Sequence, residues 1–332
     1  MCYDGCMAIL SVGSRVSKNE VGISFFFFNE QIGSLVNLGG ISGIDRPTFQ
    51  LFNPRKRVLY SVSETIDGSV HAYKIDDDLH PNHLFSVPSS GDFPCHLSLS
   101  PFDEFIGVSN YGSGDFTLLS TQGETVFTER FEGVGFDPIR QEGSHIHSSL
   151  WSPDESFLYV ADLGLDRIIR YPNDLSSKTI INLPQGTGPR HMAFGRDGLL
   201  YVVAELSSEV LIYRGEELQQ RISTLPSTFV EDNTASDLHL SKDGLYLYCS
   251  NRGHDSVAVF RVNQSLQRFE YCLTDKEPRS FALSPDGLWM LVANASSNTI
   301  TIHRRNQVNG SVGEKTHRVA VREPVCLTWM QG

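Results

Sequence analysis

A chain of 332 residues is long enough for about two average domains, although large all-β folds reach this length as one domain. Hydrophobic residues make up 40% of the chain, which is enough for a substantial core. The net charge of −12 argues against a nucleic-acid partner or an acidic membrane surface, because both attract basic proteins. An anionic ligand must therefore be met by a local cluster of Arg, Lys or His.

The chain begins with MCYDGCMAIL, which lacks the charged and apolar regions of a signal peptide. The longest apolar run, residues 23–28, is too short to span a bilayer. The cysteines at positions 2, 6, 95, 249, 272 and 326 form no CxxC pair and no zinc-type spacing with His. Scattered thiols in a long chain are typical of a reducing compartment. The sequence therefore predicts a cytoplasmic protein with no membrane partner.

A repeated unit of about 46 residues follows along the chain. Each copy has a Pro-containing approach, a short alternating strand, a turn such as SPD or DG, a strand that ends in polar residues, and a β-branched third strand. Period-2 alternation with Gly, Asp, Ser and Pro at the turns indicates strands joined by hairpins. The copies begin, in chain order, at Arg46, Pro94, His145, Pro189, Ala235 and Pro278. About four strands in each unit of this length predict a β-propeller.

The two ends of the chain supply a seventh unit. Residues 1–45 contain the strand patterns AILSVGS, VGISFFFF and GSLVNL, whereas PVCLTWM near the C-terminus looks like the opening strand of a unit with nothing after it. Pairing these strands in one blade closes the ring and removes exposed sheet edges. The prediction is an all-β, seven-bladed β-propeller, closed by N- and C-terminal strands, as a single domain over residues 1–332 and a monomer.

The hairpin geometry places the polar residues of each unit at one mouth of the central channel. Residues that enter the first strand and residues that leave the second lie together, on the face opposite the turn. The entering residues include His96, His145, His147, Arg190, His191, Asp237 and Arg279. The leaving residues include Glu64, Asn110, Asp162, Glu205, Asn251, Arg252 and Asn294. Convergent polar groups in a pocket indicate a ligand site.

A structural role is the alternative interpretation for each of these residues. Hydrogen bonds between blades suffice to explain Asp162 and the three asparagines, because buried polar groups must be satisfied. The arginines are harder to explain in this way, since guanidiniums are costly to bury without an anion or a carboxylate partner. The two histidines of the HIH sequence at 145–147 are a weak metal signal. No metal and no cofactor is therefore expected.

Several strings, in the right order and over nearly the whole chain from about Pro47, resemble the propeller lactonase family. They are NYGSG (110–114), QEGSHIHS (141–148), DLGLDRIIRY (162–171), GTGPRHMAF (186–194), AEL (204–206), SNRGHDSVAVF (250–260) and PRSFALSPDG (278–287). The family includes bacterial 6-phosphogluconolactonases and the fungal carboxy-cis,cis-muconate cyclase. The chain departs from the family in having Ser144 before the first His of its histidine motif.

The resemblance implies hydrolysis of a sugar-phosphate lactone, most plausibly 6-phosphogluconolactone in the oxidative pentose phosphate pathway. It implies a catalytic set of His147, Arg190, Glu205 and Arg252. Glu205 or His147 would be the general base toward water, and the two arginines would bind the carbonyl oxygen or the phosphate. Substrate-binding residues are expected among His96, His145, His191, Arg279, Glu64 and Asn110.

Three other functions stay open at this point. A muconate-type enzyme would use the same ring of residues on a lactone that carries carboxylates. A non-catalytic interaction propeller of the WD type has no reason to gather Arg, Glu and His at one mouth. A calcium-dependent lactonase of another propeller family would be sensitive to a chelator.

Overall fold

The computed structural model describes residues 8–330 and consists of seven four-stranded antiparallel sheets, which are the blades. Blade 1 contains β1 (Ala8–Ser14), β2 (Val21–Asn29), β3 (Ser34–Ser42) and β28 (Pro324–Trp329), and blade 2 contains β4 (Gln50–Asn53), β5 (Val58–Ser63), β6 (Ser69–Ile75) and β7 (Pro81–Pro88). Blade 3 contains β8 (Pro94–Leu99), β9 (Phe105–Asn110), β10 (Asp115–Ser120) and β11 (Thr125–Arg130), and blade 4 contains β12 (Ile146–Trp151), β13 (Phe157–Asp162), β14 (Arg167–Pro172) and β15 (Thr179–Asn182).

Blades 5 to 7 complete the series. Blade 5 contains β16 (Pro189–Phe194), β17 (Leu200–Ala204), β18 (Glu209–Arg214) and β19 (Glu217–Ser223), and blade 6 contains β20 (Thr234–Leu240), β21 (Tyr246–Arg252), β22 (Ser256–Val262) and β23 (Leu266–Leu273). Blade 7 contains β24 (Pro278–Leu283), β25 (Trp289–Asn294), β26 (Thr299–Arg305) and β27 (Val312–Ala320). The seven-bladed, all-β propeller that the repeats predict is confirmed.

The innermost strands, β28, β4, β8, β12, β16, β20 and β24, contact one another in sequence around the ring. In blade 1, β28 pairs with β1, and Gly13 lies opposite Cys326. The blade 1 sheet is therefore built from both ends of the chain. Seven apolar clusters fill the spaces between neighbouring blades; Leu10 of blade 1 and Leu291 of blade 7, for example, share one cluster and are fully buried.

The SPD turns fold locally because their side chains satisfy the backbone. In blade 4, Ser152 accepts a hydrogen bond from the amide of Phe157 at 3.0 Å and donates to Asp154 at 2.5 Å. Ser284 and Asp286 make the same contacts in blade 7. These turns lie at one end of the inner hairpins, so the entering and leaving residues meet at the opposite end, as the repeat predicts.

No helix among residues 8–330 is long and apolar enough to cross a membrane. Four cysteines, Cys95, Cys249, Cys272 and Cys326, are free and buried. Cys2 and Cys6 lie outside the described residues, as does most of the N-terminal stretch on which the expectation of no signal peptide depends.

Candidate active site

Several of the innermost strands contain a β-bulge where they start at the mouth of the channel, and the reactive side chains belong to the bulged residues. The pairing of β12 with β13 skips His147, that of β16 with β17 skips Arg190 and His191, and that of β24 with β25 skips Arg279. Bulged residues are released from the regular alternation of a strand and are often re-aimed at a site. The repeat therefore places these residues at the mouth, and the bulge turns them toward the channel.

Glu205, directly after β17, is the centre of the site. Its side chain is 2% exposed, and both carboxylate oxygens accept hydrogen bonds from arginines. Oε2 lies 2.6 Å from Arg190 NH1 and 2.9 Å from Arg252 NH2, whereas Oε1 lies 2.6 Å from Arg140 NH2. Burial alone would raise the pKa of Glu205, but Arg252, Arg190 and Arg140 together hold it well below its usual range. The carboxylate stays ionised and is a weak base.

His147 lies beside this cluster with its Nε2 atom 2.8 Å from Arg190 NH1 and 4.0 Å from Glu205 Oε2. A guanidinium can only donate, so Nε2 accepts and the neutral ring carries its proton on Nδ1. Burial and, next, the positive charge of Arg190 lower the pKa of His147 well below 6.5. The imidazole is therefore neutral at pH 7, and its Nε2 lone pair faces the reacting groups.

The sequence analysis missed Arg140, which belongs to no strand. It lies in the long connection between β11 and β12, where Gln141 holds the turn by accepting hydrogen bonds from the amides of Phe136 (3.1 Å) and Asp137 (2.9 Å) and donating to the carbonyl of Leu163 (2.8 Å). This turn extends Arg140 across the mouth to Glu205. An arginine directly before the QEGSHIHS string was the available signal, but the repeat gave it no position.

His145 supports the site without contacting the arginines. Its Nδ1 atom is bonded to the carbonyl oxygen of Tyr111 at 2.8 Å, and its ring stacks on the Tyr111 ring with centroids 4.3 Å apart. Tyr111 meets His147 edge to face, with centroids 5.5 Å apart, and its hydroxyl lies 3.5 Å from Arg140 NH2. The structure thus makes His145 a support for Tyr111, which lines the wall beside His147.

His96 of β8 and His191 of β16 lie close to His147. Their ring centroids are 5.4 Å apart, and the His191 ring is 5.7 Å from that of His147. Asp237 binds His191 Nδ1 at 2.9 Å and His239 Nε2 at 3.2 Å. Burial lowers the pKa of His239, but Asp237 outweighs burial and raises it. These residues form a polar cluster next to His147.

Two other predicted residues come from other blades of the same ring, Arg279 from β24 of blade 7 and Glu64 from the end of β5 in blade 2, whereas Asn110 does not contribute to the site. The Asn110 side chain is fully buried, and its Nδ2 atom donates to the carbonyl of Ser89 at 3.1 Å and contacts Thr117 Oγ1 at 3.4 Å. The expectation that Asn110 binds substrate is therefore replaced by a structural role, because its amide ties β9 to the connection between blades 2 and 3.

Within residues 8–330, no three His, Cys, Asp or Glu side chains come together as a group that could hold a metal ion. The site's distinctive chemistry is its charge. Three guanidiniums surround one carboxylate, and in a chain of net charge −12 this is a local excess of positive charge. Such a site stabilises negative charge that develops on a bound carbonyl oxygen.

This fold and site define a class of enzyme. A family model described as "Lactonase, 7-bladed beta-propeller" matches residues 9–329. The chain belongs to this lactonase family, as the sequence motifs indicated, and it is a hydrolase of lactones, which are cyclic carboxylic esters.

Individual relatives align with three quarters of the chain or more. The 6-phosphogluconolactonase of Bacillus subtilis is 30% identical over 348 aligned positions, covering 96% of this chain and 97% of the relative. The 6-phosphogluconolactonase of Formosa agariphila is 31% identical, covering 76% of this chain and 79% of its own. The solved structure of the periplasmic gluconolactonase PpgL of Pseudomonas aeruginosa superposes with a TM-score of 0.91 at 28% identity, covering 97% of this chain and 99% of that one.

Proposed function

We propose that this enzyme hydrolyses 6-phosphogluconolactone to 6-phosphogluconate, the reaction of the oxidative pentose phosphate pathway. The observation that carries the proposal is the surplus of guanidiniums around Glu205, next to a neutral His147. Two relatives named 6-phosphogluconolactonase support the choice of substrate. We place the reaction in the cytoplasm, because the four described cysteines are free thiols, which is typical of a reducing compartment.

We assign the general base to His147 and not to Glu205. Both oxygens of Glu205 are engaged by arginines that suppress its affinity for a proton. His147 is neutral, and within residues 8–330 the one hydrogen bond to its Nε2 lone pair comes from Arg190 NH1. When a lactone carbonyl binds, Arg190 turns its NH1 group to the carbonyl oxygen, and Nε2 becomes free to accept a proton from water. Glu205 is a positioning residue that holds Arg190 and Arg252 in place.

The reaction then needs no covalent intermediate. The water oxygen attacks the carbonyl carbon while its proton passes to His147 Nε2, and Arg190 and Arg252 stabilise the tetrahedral oxyanion. The bond to the ring oxygen breaks, and the imidazolium of His147 returns the proton to that oxygen as it becomes a hydroxyl group. The second proton of the attacking water stays on the new carboxyl group and is released to solvent as that group ionises. The carboxylate product then dissociates from a site in which Arg140, Arg190 and Arg252 outnumber Glu205.

The test is hydrolysis of freshly generated 6-phosphogluconolactone beside unphosphorylated gluconolactone, each with and without a chelator. We expect an enzyme-dependent rate that survives the chelator and favours the phosphorylated lactone. Loss of the rate with the chelator would favour a metal-dependent lactonase. No rate on either sugar lactone, with activity on a lactone that bears carboxylates, would replace our substrate by a muconate-type one.

A further inference from the structure

The wall of the mouth that blades 7, 1 and 2 form carries charged groups without protein partners. The guanidinium of Arg279, on the bulge of β24, makes no hydrogen bond or ion pair with any residue in the range 8–330. In blade 2, the Nε atom of Arg46 is buried and has no partner within the described chain. The same holds for the Oε2 atom of Glu64. We call Arg46, Glu64 and Arg279 the recognition wall; they belong to blades 2 and 7, whereas Glu205 follows β17 of blade 5.

These groups belong to adjacent blades of the ring. The amide of Glu64 donates to the carbonyl of Arg46 at 3.1 Å, so both side chains start from one point in blade 2. Arg46 also lines an open groove of about 410 Å³ together with its neighbour Asp45 and with Arg15 and Glu323 of blade 1, and Asp45 makes no ion pair with Arg46 among the described residues. The innermost strands of blades 7, 1 and 2, which are β24, β28 and β4, contact one another in that order around the ring. Burial and then Arg190 lower the pKa of Arg279, whereas Glu64 and Glu205 raise it. The wall is therefore continuous over three adjacent blades.

Arg15 differs from the other two arginines because its Nε atom is paired with Glu323 at 3.0 Å. The fold thus supplies a carboxylate to Arg15 at the rim but none to Arg46 or Arg279. Glu64 does not fill this role, because it makes no ion pair with either arginine within the part of the chain that the structure describes. Unpaired guanidiniums and carboxylates at a partly buried site are costly unless a ligand completes their hydrogen bonds.

The missing partners define the chemistry of the ligand. Arg46 and Arg279 need acceptors, and two guanidiniums suit a phosphate monoester, which carries about −1.5 to −2 charges at pH 7 and three acceptor oxygens. Glu64 needs a donor, which a hydroxyl group supplies. A ligand that offers an anionic group and hydroxyl groups a few ångströms apart would satisfy all three residues.

We propose that Arg279 and Arg46 bind the phosphate group of a phosphorylated sugar lactone and that Glu64 accepts a hydrogen bond from one of its hydroxyl groups. This inference rests on the proposed lactonase function and divides the mouth into two halves. Blades 4 to 6 act on the carbonyl through His147, Arg190 and Arg252, and blades 7, 1 and 2 select the substrate.

The kinetic test compares kcat/KM for 6-phosphogluconolactone and gluconolactone. Arg279→Gln and Arg46→Gln should each lower the ratio of the two constants at least tenfold, because only one substrate has the phosphate. Glu64→Gln should lower both constants and leave the ratio within threefold, because both lactones have the hydroxyl groups. Arg214→Gln, at an exposed arginine at the end of β18, is the matched control and should change neither constant.

An unchanged ratio in both arginine variants would overturn the proposal. If Arg279→Gln does not fold, as judged by its melting curve, Arg279→Lys replaces it. Lys keeps the positive charge but cannot donate two parallel hydrogen bonds as a guanidinium does. The ratio of kcat/KM for the two lactones should therefore fall by less than in a neutral variant but remain below that of the wild type.

A binding experiment separates this proposal from the proposed reaction. Calorimetry would compare 6-phosphogluconate, gluconate and a dicarboxylate of similar size on wild-type protein and on Arg279→Gln. Tighter binding of 6-phosphogluconate that is lost in the variant would support the recognition wall, even if the enzyme did not hydrolyse the phosphorylated lactone. Equal affinities for 6-phosphogluconate and gluconate, or a preference for the dicarboxylate, would overturn the phosphate assignment even in an active lactonase.

Discussion

Replacing Glu205 by Gln should weaken both the fold and the catalytic site. The carboxylate is 2% exposed and holds three guanidiniums at 2.6, 2.6 and 2.9 Å. Removing one partner of a buried ion pair leaves an uncompensated charge and costs about 3–5 kcal/mol. We expect a decrease in Tm of roughly 5–10 °C. We also expect kcat/KM to fall by about 10² to 10³, because Arg190 and Arg252 lose the group that aims them at the oxyanion.

The assays are thermal unfolding and lactone hydrolysis on the same preparation. Glu209→Gln is the matched control, since Glu209 of blade 5 pairs with Arg221 at 2.6 Å but at a partly exposed position. Exposed pairs contribute about 0–1 kcal/mol, so this variant should unfold and react almost as the wild type does. Sulfate should raise the Tm of Glu205→Gln more than that of the wild type, because the three arginines then lack an anion. A Glu205→Gln protein that kept both its Tm and its kcat/KM within threefold would refute this reasoning.

Three further outcomes are expected. His147→Ala should lower kcat/KM by about 10² to 10⁴ and abolish the acid limb of the pH–rate profile. In the wild type that limb lies below pH 6.5, because a base whose pKa is lowered stays deprotonated until the pH falls below its pKa. An acid limb that persisted in His147→Ala would return the role of base to Glu205. Arg140→Met should lower kcat/KM by roughly tenfold, mainly through KM, because it removes one charged hydrogen bond at the outer side of the site. Gly164→Ala should destabilise the fold by about 1–3 kcal/mol, because its Cβ would lie 1.9 Å from the carbonyl oxygen of Gly143, whereas Gly143→Ala meets open space and should melt as the wild type does.

Much of the proposed catalytic set could be collected from the sequence because the repeat assigns a position to each residue. Arg190 follows the Pro that opens a unit, Glu205 follows β17, and Arg252 is the last residue of β21. In every blade these positions reach the same mouth, so a set of reactive residues could be collected without coordinates. Which member of the set is the base could not be read in this way, because it depends on the three guanidiniums that surround Glu205.

The sequence by itself determined the all-β propeller, the number of blades and the mouth at which the polar residues gather, because these follow from local alternation, turn chemistry and the period of the repeat. Only the tertiary structure brought Arg140 to Glu205, turned the amide of Asn110 toward Ser89 and left the Arg279 guanidinium without a hydrogen-bond partner among residues 8–330. Each of these outcomes depends on contacts between segments that the repeat does not relate. Arg140 lies in a long connection between two blades, Asn110 contacts the connection that precedes its own blade, and Arg279 lies on a bulge at the mouth of the channel. A repeat fixes where a side chain starts, whereas the packing of neighbouring blades decides what it touches.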